Sequence, residues 1–449
     1  MLEEKYAGYK GLALNWMIEK DLEIWDEIKI LKDDTQLTGV ILPRNELANP
    51  NFISLKLPTG YNVGFNPINI QKMKKIRRIK GEYRVPTIDI VQNNNLPFVP
   101  VIGCGGTIVS RLDYRTGGTI PALSLEELIS LFPEIANLAR IETKLLFNLF
   151  SENINFNHYI EILNVIETVI KKENPKGIVL THGTDTLAYT AAALSFSINN
   201  PPCPIVLTGS QRSSDRPSSD SFFNLYNSIL YSTSPIARNE VVVIMHEESS
   251  DISFTIHKGT RLRKMHSSRR DAFKTIGEAP LGKIIEGKVH YYGEKPLLDL
   301  KSQPKRKAFS ISKKFEDKIG LIYHYPGIKP GIIEYHMQAG YKGIIIAGTG
   351  LGHVSSDLIP ILKKGINDGL IVVMTTQCLH GFTGMSVYES GRKLLKIGII
   401  PVLNILPETA FIKLAYLFGN YQNTDKIKEL MIKNLKGEII SRERFSAFH

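Results

Sequence analysis

The sequence predicts an α/β protein: two successive parallel-sheet domains preceded by a small antiparallel β-barrel. Three observations carry this expectation. From Phe98 onward, apolar runs that read as buried strands alternate with amphipathic helical stretches, the pattern of a parallel sheet with crossover helices. The first 70 residues or so instead carry short alternating runs separated by turn residues. A polar, basic stretch over 300–318, containing Pro304-Lys305-Arg306-Lys307, interrupts the α/β rhythm before it restarts.

Taken in order, residues 27–31 alternate, Asp33-Asp34 offers a turn, and 38–42 is apolar again. Residues 52–57 alternate, and Pro58-Thr59-Gly60 turns the chain into 61–65. The following stretch, 71–84, carries Lys72, Lys74, Lys75, Arg77, Arg78, Lys80 and Arg84 against one acid, Glu82, and reads as a solvated linker into Asn93-Asn94-Asn95-Leu96-Pro97. In the next domain, strands are expected at 98–102, 177–180, 204–207 and 241–245, with helices at 124–132, 156–172, 186–197 and 221–231. After the second linker come strands at 319–324, 343–347, 370–375 and 399–403 and a polar helix at 425–435. The expected domains are therefore 1–90, 91–299 and 319–449, with 300–318 between the last two.

Composition bounds the function. Of 449 residues, 43% are apolar and 22% charged, which excludes wholesale disorder and collagen-like structure. Lys plus Arg exceed Asp plus Glu by 55 − 44 = 11, a balance that permits a polyanionic partner without the charge density of a histone-like binder. The three cysteines, Cys104, Cys203 and Cys378, lie too far apart for a CxxC pair, which points to a reducing compartment. The N-terminus lacks a basic region followed by an apolar one, and no apolar stretch approaches the roughly 18 residues of a membrane span, so a cytoplasmic chain with no membrane partner is expected.

Nucleotide and metal motifs are missing: there is no GxxxxGK[ST], HExxH, CxxC or carboxylate-rich calcium loop, so neither a metal nor a cofactor is expected in this chain. Gly348-Thr349-Gly350-Leu351-Gly352 lacks the spacing of a dinucleotide fingerprint and reads as a tight strand-to-helix turn. The informative feature is rich in hydroxyls. One strand runs into Gly103-Cys104-Gly105-Gly106-Thr107, and the next into Thr181-His182-Gly183-Thr184-Asp185-Thr186 at the start of a helix. In open α/β sheets, reactive groups gather at the carboxyl ends of strands, and paired glycines let backbone N–H groups approach a substrate carbonyl closely. The plainer alternative is that Thr184 and Asp185 only cap the helix.

These motifs resemble those of the bacterial-type asparaginase and glutaminase family over about residues 95–440. The family's T-G-G-T-I is matched by Cys104-Gly105-Gly106-Thr107-Ile108 with cysteine in first place, and its H-G-T-D-T is matched in full by 182–186. Phe150-Ser151-Glu152-Asn153 stands where the family places its substrate-carboxylate loop. Gly209-Ser210-Gln211-Arg212 through Asn224-Leu225 also matches, and His257-Lys258-Gly259 stands where a catalytic lysine is expected. The resemblance implies an asparaginase-like two-domain body and an amide-hydrolysing site. Thr107 would be the nucleophile, activated by Tyr114 on the loop over the site. Thr184, Asp185 and Lys258 would act as relay and transition-state support, and exchanged roles for the two threonines stay open. Ser151, Glu152, Gly106 and Gly183 would bind substrate. Cys104 reads as a packing residue and His182 as a structural one. Leu351 and His353 replace the asparagine that asparaginases often carry in the second domain's strand-end loop, and a homodimer completed by such a loop is expected.

Plain asparaginases begin almost directly at the first signature, whereas about ninety residues precede it here. A β-rich front domain on an asparaginase-like body is similar to the D subunits of archaeal-type glutamyl-tRNA(Gln) amidotransferases. That resemblance implies a glutamine (or asparagine) amidohydrolase feeding ammonia to an E-type partner subunit that acts on Glu-tRNA(Gln). ATP and Mg would belong to that partner. The alternative is a free cytoplasmic L-asparaginase. A tRNA-binding scaffold with a dead body is disfavoured, because the matched site residues are all present. The basic runs over 72–84 and 305–314 read as solvated linkers, the other reading being contact with tRNA phosphates or the partner.

Overall fold

A computed structural model of the chain describes residues 5–44, 48–59, 61–68, 70–79, 93–106, 110–112, 119–121, 133–213, 218–292 and 308–443. The front segment forms helix α1 (Gly11–Glu19) and strands β1 (Asp26–Lys32), β2 (Thr35–Ile41), β3 (Ile53–Lys56), β4 (Asn62–Phe65) and β5 (Ile70–Arg78), in the spatial order β4-β3-β2-β1-β5 with every pair antiparallel. Asp33 and Asp34 take φ of 48° and 59° between β1 and β2, as a two-residue hairpin of primed type needs. Alternation directs Ile28, Ile30, Ile41, Ile53 and Leu55 into one core, which Ala13 and Met17 of α1 help to close. Sequence periodicity does not reveal α1, because apolar residues run nearly all round it: Leu12 and Ile18 face solvent.

The basic run is corrected by this fold. Its described part is strand β5, not linker, because β1 and the turn before it offer acids across the pairing. Lys75 meets the fully buried Asp26 at 2.7 Å, Arg77 meets Glu27 at 2.7 Å, and Arg78 pairs with Glu23. Residues 80–92 lie outside the described ones.

The body begins with β6 (Phe98–Gly103), followed by the hairpin β7 (Ser110–Leu112) and β8 (Thr119–Pro121), then β9 (Arg140–Leu145). Next come α2 (Phe156–Glu173), β10 (Ile178–Thr181), α3 (Leu187–Ser197), β11 (Ile198–Asn199), β12 (Ile205–Thr208), α4 (Ser221–Thr233) and β13 (Val241–His246). Strands β14 (Ser253–Lys258), β15 (Leu262–Lys264), β16 (Phe273–Thr275), β17 (Gly282–Ile285) and β18 (Lys288–Tyr291) complete it. Eight strands form one sheet, ordered β18-β17-β14-β13-β12-β10-β6-β9, parallel from β13 to β9 and antiparallel from β14 outward. Both faces are buried along the central strands β10, β12 and β13. Ile178 and Leu180 of β10 enter the layer under α2 and α3, whereas Val179 enters the layer under α4. The chain passes from β6 to β9 on one side and then to β10 on the other, so the strand order reverses at β6. A crevice at the carboxyl ends of β6 and β10 follows.

The second interruption is corrected in part. Residues 300–307 are outside the described residues, but 308–318 is no solvated linker. Strand β19 (Ser310–Ile311) pairs with β11, and Phe315 stacks on Phe156 of α2 with centroids 5.4 Å apart. Beyond it, β20 (Ile319–Tyr323), α5 (Gly331–Gln338), β21 (Gly343–Gly348), α6 (Ile359–Asn367), β22 (Ile371–Thr376), α7 (Glu389–Lys396) and β23 (Ile400–Pro401) form a four-stranded parallel sheet in sequence order with its helices. Helices α8 (Pro407–Asn420) and α9 (Thr424–Met431) follow. Ile412 of α8 inserts beside Tyr159, Ala192, Ala193 and Phe196, so α8 joins the second domain to α2 and α3 of the first. Glycines 350 and 352, at φ 52° and 91°, close the tight turn after β21, where Thr349 and His353 bridge. The expected helix over 124–132 lies outside the described residues.

Candidate active site

Two strand-end loops meet backbone to backbone. After β6, Gly105 and Gly106 take φ of 82° and 86°, a conformation that L side chains rarely adopt. A Cβ on Gly106 would sit 2.4 Å from Cα and N of Gly183, and one on Gly105 would sit 2.3 Å from the Leu149 carbonyl oxygen. Glycine is therefore required sterically as well as conformationally. Gly183 faces Ser151 in the same way, a Cβ there reaching to 2.7 Å from Ser151 Oγ. The Thr186 hydroxyl donates to the Ser151 carbonyl at 2.7 Å, tying the 150–153 loop to the start of α3. Three of the four expected substrate-binding residues, Gly106, Gly183 and Ser151, are thus brought together, with Glu152 exposed beside the buried Ser151.

The capping alternative for Thr184 and Asp185 does not hold. Helix α3 starts at Leu187, its N-cap is Thr186, and no side chain makes a capping hydrogen bond there. Lys264 occupies them instead: its ammonium donates to Thr184 Oγ1 at 2.8 Å and to Asp185 Oδ1 at 2.7 Å. Thr184 is buried, and the Lys264 side chain is 13% exposed, while the Asp185 carboxylate is 68% exposed. A hydroxyl, an ammonium and a carboxylate thus stand at the rim of the switch-point crevice.

Lys258 does not belong to this group. It pairs with Glu278 at 2.8 Å, and its ammonium lies against Gly437. The reason is strand direction: β14 runs antiparallel to β13, so Lys258 lies opposite Val242, near the start of β13 and away from the ends where Thr184 sits. The lysine at the site is Lys264, six residues on, in β15. Its signal was available in Arg261-Leu262-Arg263-Lys264, where strand alternation puts Leu262 and Lys264 on one side. Leu262 packs in the core under α3, which directs Lys264 to the start of that helix. Thr107 and Tyr114 lie outside the described residues.

The neighbouring polar groups are structural. His182 is fully buried. The Gly183 carbonyl can only accept, so Nδ1–H donates to it at 2.8 Å and Nε2 accepts from the Thr190 hydroxyl at 2.8 Å. Burial lowers its pKa to about 4, keeping the ring neutral. Cys104 packs in the core under α2 and α3, and burial pushes its thiol up to about 12. A thiol held protonated is no nucleophile, which agrees with the packing reading. The buried Asp220 carboxylate accepts from Ser210 Oγ and from the backbone N–H groups of Gln211 and Arg212, so the 209–212 motif is a loop folded on a carboxylate. Among the described residues no group of His, Cys, Asp and Glu is placed to hold a metal ion, and no helix is long and apolar enough to cross a membrane.

Comparison with known proteins agrees with this architecture. Residues 98–297 match the asparaginase N-terminal family, 318–431 the glutaminase/asparaginase C-terminal domain, and 22–76 the GatD N-terminal domain. Among solved structures, the thermostable L-asparaginase from Thermococcus kodakarensis superposes with a TM-score of 0.66 at 29% identity, covering 77% of this chain and 99% of its own. A probable cytoplasmic L-asparaginase from Campylobacter jejuni gives 0.64 at 27% identity, covering 75% and 100%. The D subunit of the glutamyl-tRNA(Gln) amidotransferase of Sulfolobus acidocaldarius is 43% identical over 96% of this chain and 95% of its own length. Its counterpart in Pyrococcus furiosus is 42% identical over 94% and 96%. With an asparaginase body, the matching front domain and full-length likeness together, the chain belongs to the family of glutamyl-tRNA(Gln) amidotransferase D subunits.

Proposed function

We propose that this chain hydrolyses the side-chain amide of glutamine, or of asparagine, and that the ammonia serves amidation of Glu-tRNA(Gln) by an E-type partner subunit. ATP and Mg chemistry would belong to that partner. The observation that carries the reading is the Thr184–Lys264–Asp185 group beside the glycine-lined meeting of two strand-end loops, in a chain whose relatives are named as D subunits. Thr107 is the nucleophile in this reading, with Tyr114 taking its proton. The hydroxyl oxygen adds to the amide carbon, the C–N bond breaks, and ammonia leaves with a proton; water then cleaves the ester and restores the hydroxyl. Thr184, held by Lys264, hands protons between the nucleophile and the leaving group, and backbone N–H groups around Gly183 receive the developing oxyanion. Ser151 and Glu152 bind the substrate's α-carboxylate and α-amino groups.

The assembly is proposed to be a cytoplasmic homodimer. Val387 and Tyr388 are both well over half exposed near the strand ends of the second domain, and burying them against a second copy would remove apolar surface from water. Leu351 and His353 in the adjoining turn are the residues it would lend to a neighbour's site.

The test is ammonia release by the full chain alone, with the partner, and with the partner plus charged or uncharged tRNA across a salt series. Stimulation by Glu-tRNA(Gln) that fades as salt rises is expected, since phosphate contacts release counterions. Equal rates throughout would favour the free L-asparaginase. Light scattering of the chain should give a dimer.

A further inference from the structure

The strand that delivers Lys264 is held in part from the far side of the domain boundary. Strand β15 is three residues long and pairs only with β16 among the described residues. Arg261, immediately before it, has zero exposure, and its guanidinium makes four hydrogen bonds to backbone carbonyls, two of them to Ile276. Nε donates to the Ile276 carbonyl at 3.0 Å, and Nη1 to the carbonyls of Asn404 at 2.9 Å and Glu438 at 3.0 Å. One side chain thereby ties together the loop after β16, the loop after β23 and the C-terminal segment. Its neighbours repeat the pattern. The Thr260 hydroxyl donates to the Lys436 carbonyl, the Thr409 hydroxyl of α8 donates to the Thr260 carbonyl, and Arg263 faces Glu408 at 3.5 Å.

The C-terminal segment is itself locked. Lys413 of α8 pairs with Glu438 at 2.6 Å, both side chains having zero exposure, and also donates to the Met431 and Lys433 carbonyls. Burial depresses the pKa of Arg261, against which the surrounding Glu278, Glu443 and Glu438 act. Alternation along β15 gives the arrangement its direction: Arg261 and Arg263 reach to the second domain, Arg261 also holding the Ile276 carbonyl of the first, while Leu262 and Lys264 serve the first. At about 3.3 Å per residue, only about 10 Å of strand separates Arg261 from Lys264.

We infer that Arg261 is the positioning residue for Lys264: the second domain and the C-terminal segment, acting through its guanidinium, set where the ammonium meets Thr184 and Asp185. The inference rests on the amide-hydrolysis reading for its kinetic consequence, but not for its geometry. It makes the catalytic domain incomplete without the second.

The test uses the full chain with Arg261→Lys and Arg261→Met, and Thr260→Val as a milder variant should those fail to fold. Leu362→Ala, in α6 and fully buried far from β15 in sequence, serves as a destabilised control. Two quantities are read: kcat and KM for amide hydrolysis, and the acetylation rate of Lys264 under limiting acetic anhydride, measured by mass spectrometry against exposed Lys171. Folded Arg261 variants should lose about 10- to 100-fold in kcat, as misplacement of a catalytic group by about 1 Å does, with KM within about twofold. Their Lys264 should acetylate several-fold faster on leaving its partners. Arg261→Lys should lie between wild type and Arg261→Met, Thr260→Val should move the same way by less, and the control should move neither quantity. Unchanged kcat and unchanged Lys264 labelling in a folded variant would overturn the inference, as would an equal effect in the control. A wild-type chain that releases no ammonia, even with its partner, would reject the functional reading, and the labelling would still decide the role of Arg261.

Discussion

Replacing Lys264 by methionine keeps the unbranched stem as far as Cε and removes the ammonium with its two charge-assisted contacts, at 2.8 Å to Thr184 Oγ1 and 2.7 Å to Asp185 Oδ1. Loss of one preorganised donor at a reacting oxygen typically costs about 10²–10³ in kcat, or roughly 2.7–4 kcal/mol. A group that also moves protons adds a comparable factor. A fall of at least about 100-fold is therefore expected. Stability should hardly change, because the carboxylate partner is 68% exposed and such pairs contribute only about 0–1 kcal/mol. Lys258→Met provides the contrast. Its pair with Glu278 is partly exposed on both sides, so it too should cost about 0–1 kcal/mol, with kcat within about threefold of wild type. Ammonia release and thermal denaturation of the two variants, side by side, decide the matter. An inactive, folded Lys258→Met together with an active Lys264→Met would refute the assignment.

Gly106→Ala should lower the denaturation midpoint more than Gly183→Ala, because the first puts a side chain at φ 86° with its Cβ 2.4 Å from backbone, whereas the second meets Ser151 Cβ at 2.6 Å and Oγ at 2.7 Å at a position without a left-handed φ. Urea melts of the two variants test this ranking. Lys413→Met strips the buried Glu438 of its counter-charge and should cost about 3–5 kcal/mol, with the double change Lys413→Met/Glu438→Gln recovering part of it. Equal losses in the single and double variants would contradict that account. His182 sits at about 4 folded against 6.5 in the open chain, so between those pH values the unfolded state binds more protons than the folded one. Its contribution is complete above about pH 6.5 and is lost as pH falls towards 4, of the order of 3 kcal/mol in all; melts from pH 7 to 4.5 should show the slope, and His182→Gln should remove its share, the buried His257 still adding a slope of the same sign. Cys104→Ala should keep most of the activity, since its thiol is held protonated in the core; complete inactivity with an intact fold would reassign the nucleophile.

The strand-and-helix alternation of both α/β domains, and the two loops that form the site, are legible in the sequence because they are local features. Apolar runs with both faces covered specify β10 and β12 whatever surrounds them, and Gly105-Gly106 and Gly183 announce a close backbone approach. The rest depends on pairing direction and on distant partners. Lys258 and Lys264 are six residues apart, and a linear reading cannot tell that β14 reverses and carries the first away while β15 brings the second to Thr184. The basic run became β5 because Asp26, Glu27 and Glu23, some fifty residues earlier, pair with Lys75, Arg77 and Arg78. Phe315 left a largely polar stretch for an aromatic stack whose other members come from α2 and α8. Charge and apolarity are properties of a residue, but a partner's sign, distance and direction belong to the folded chain. That is why the loops of this site could be read in advance and its lysine could not.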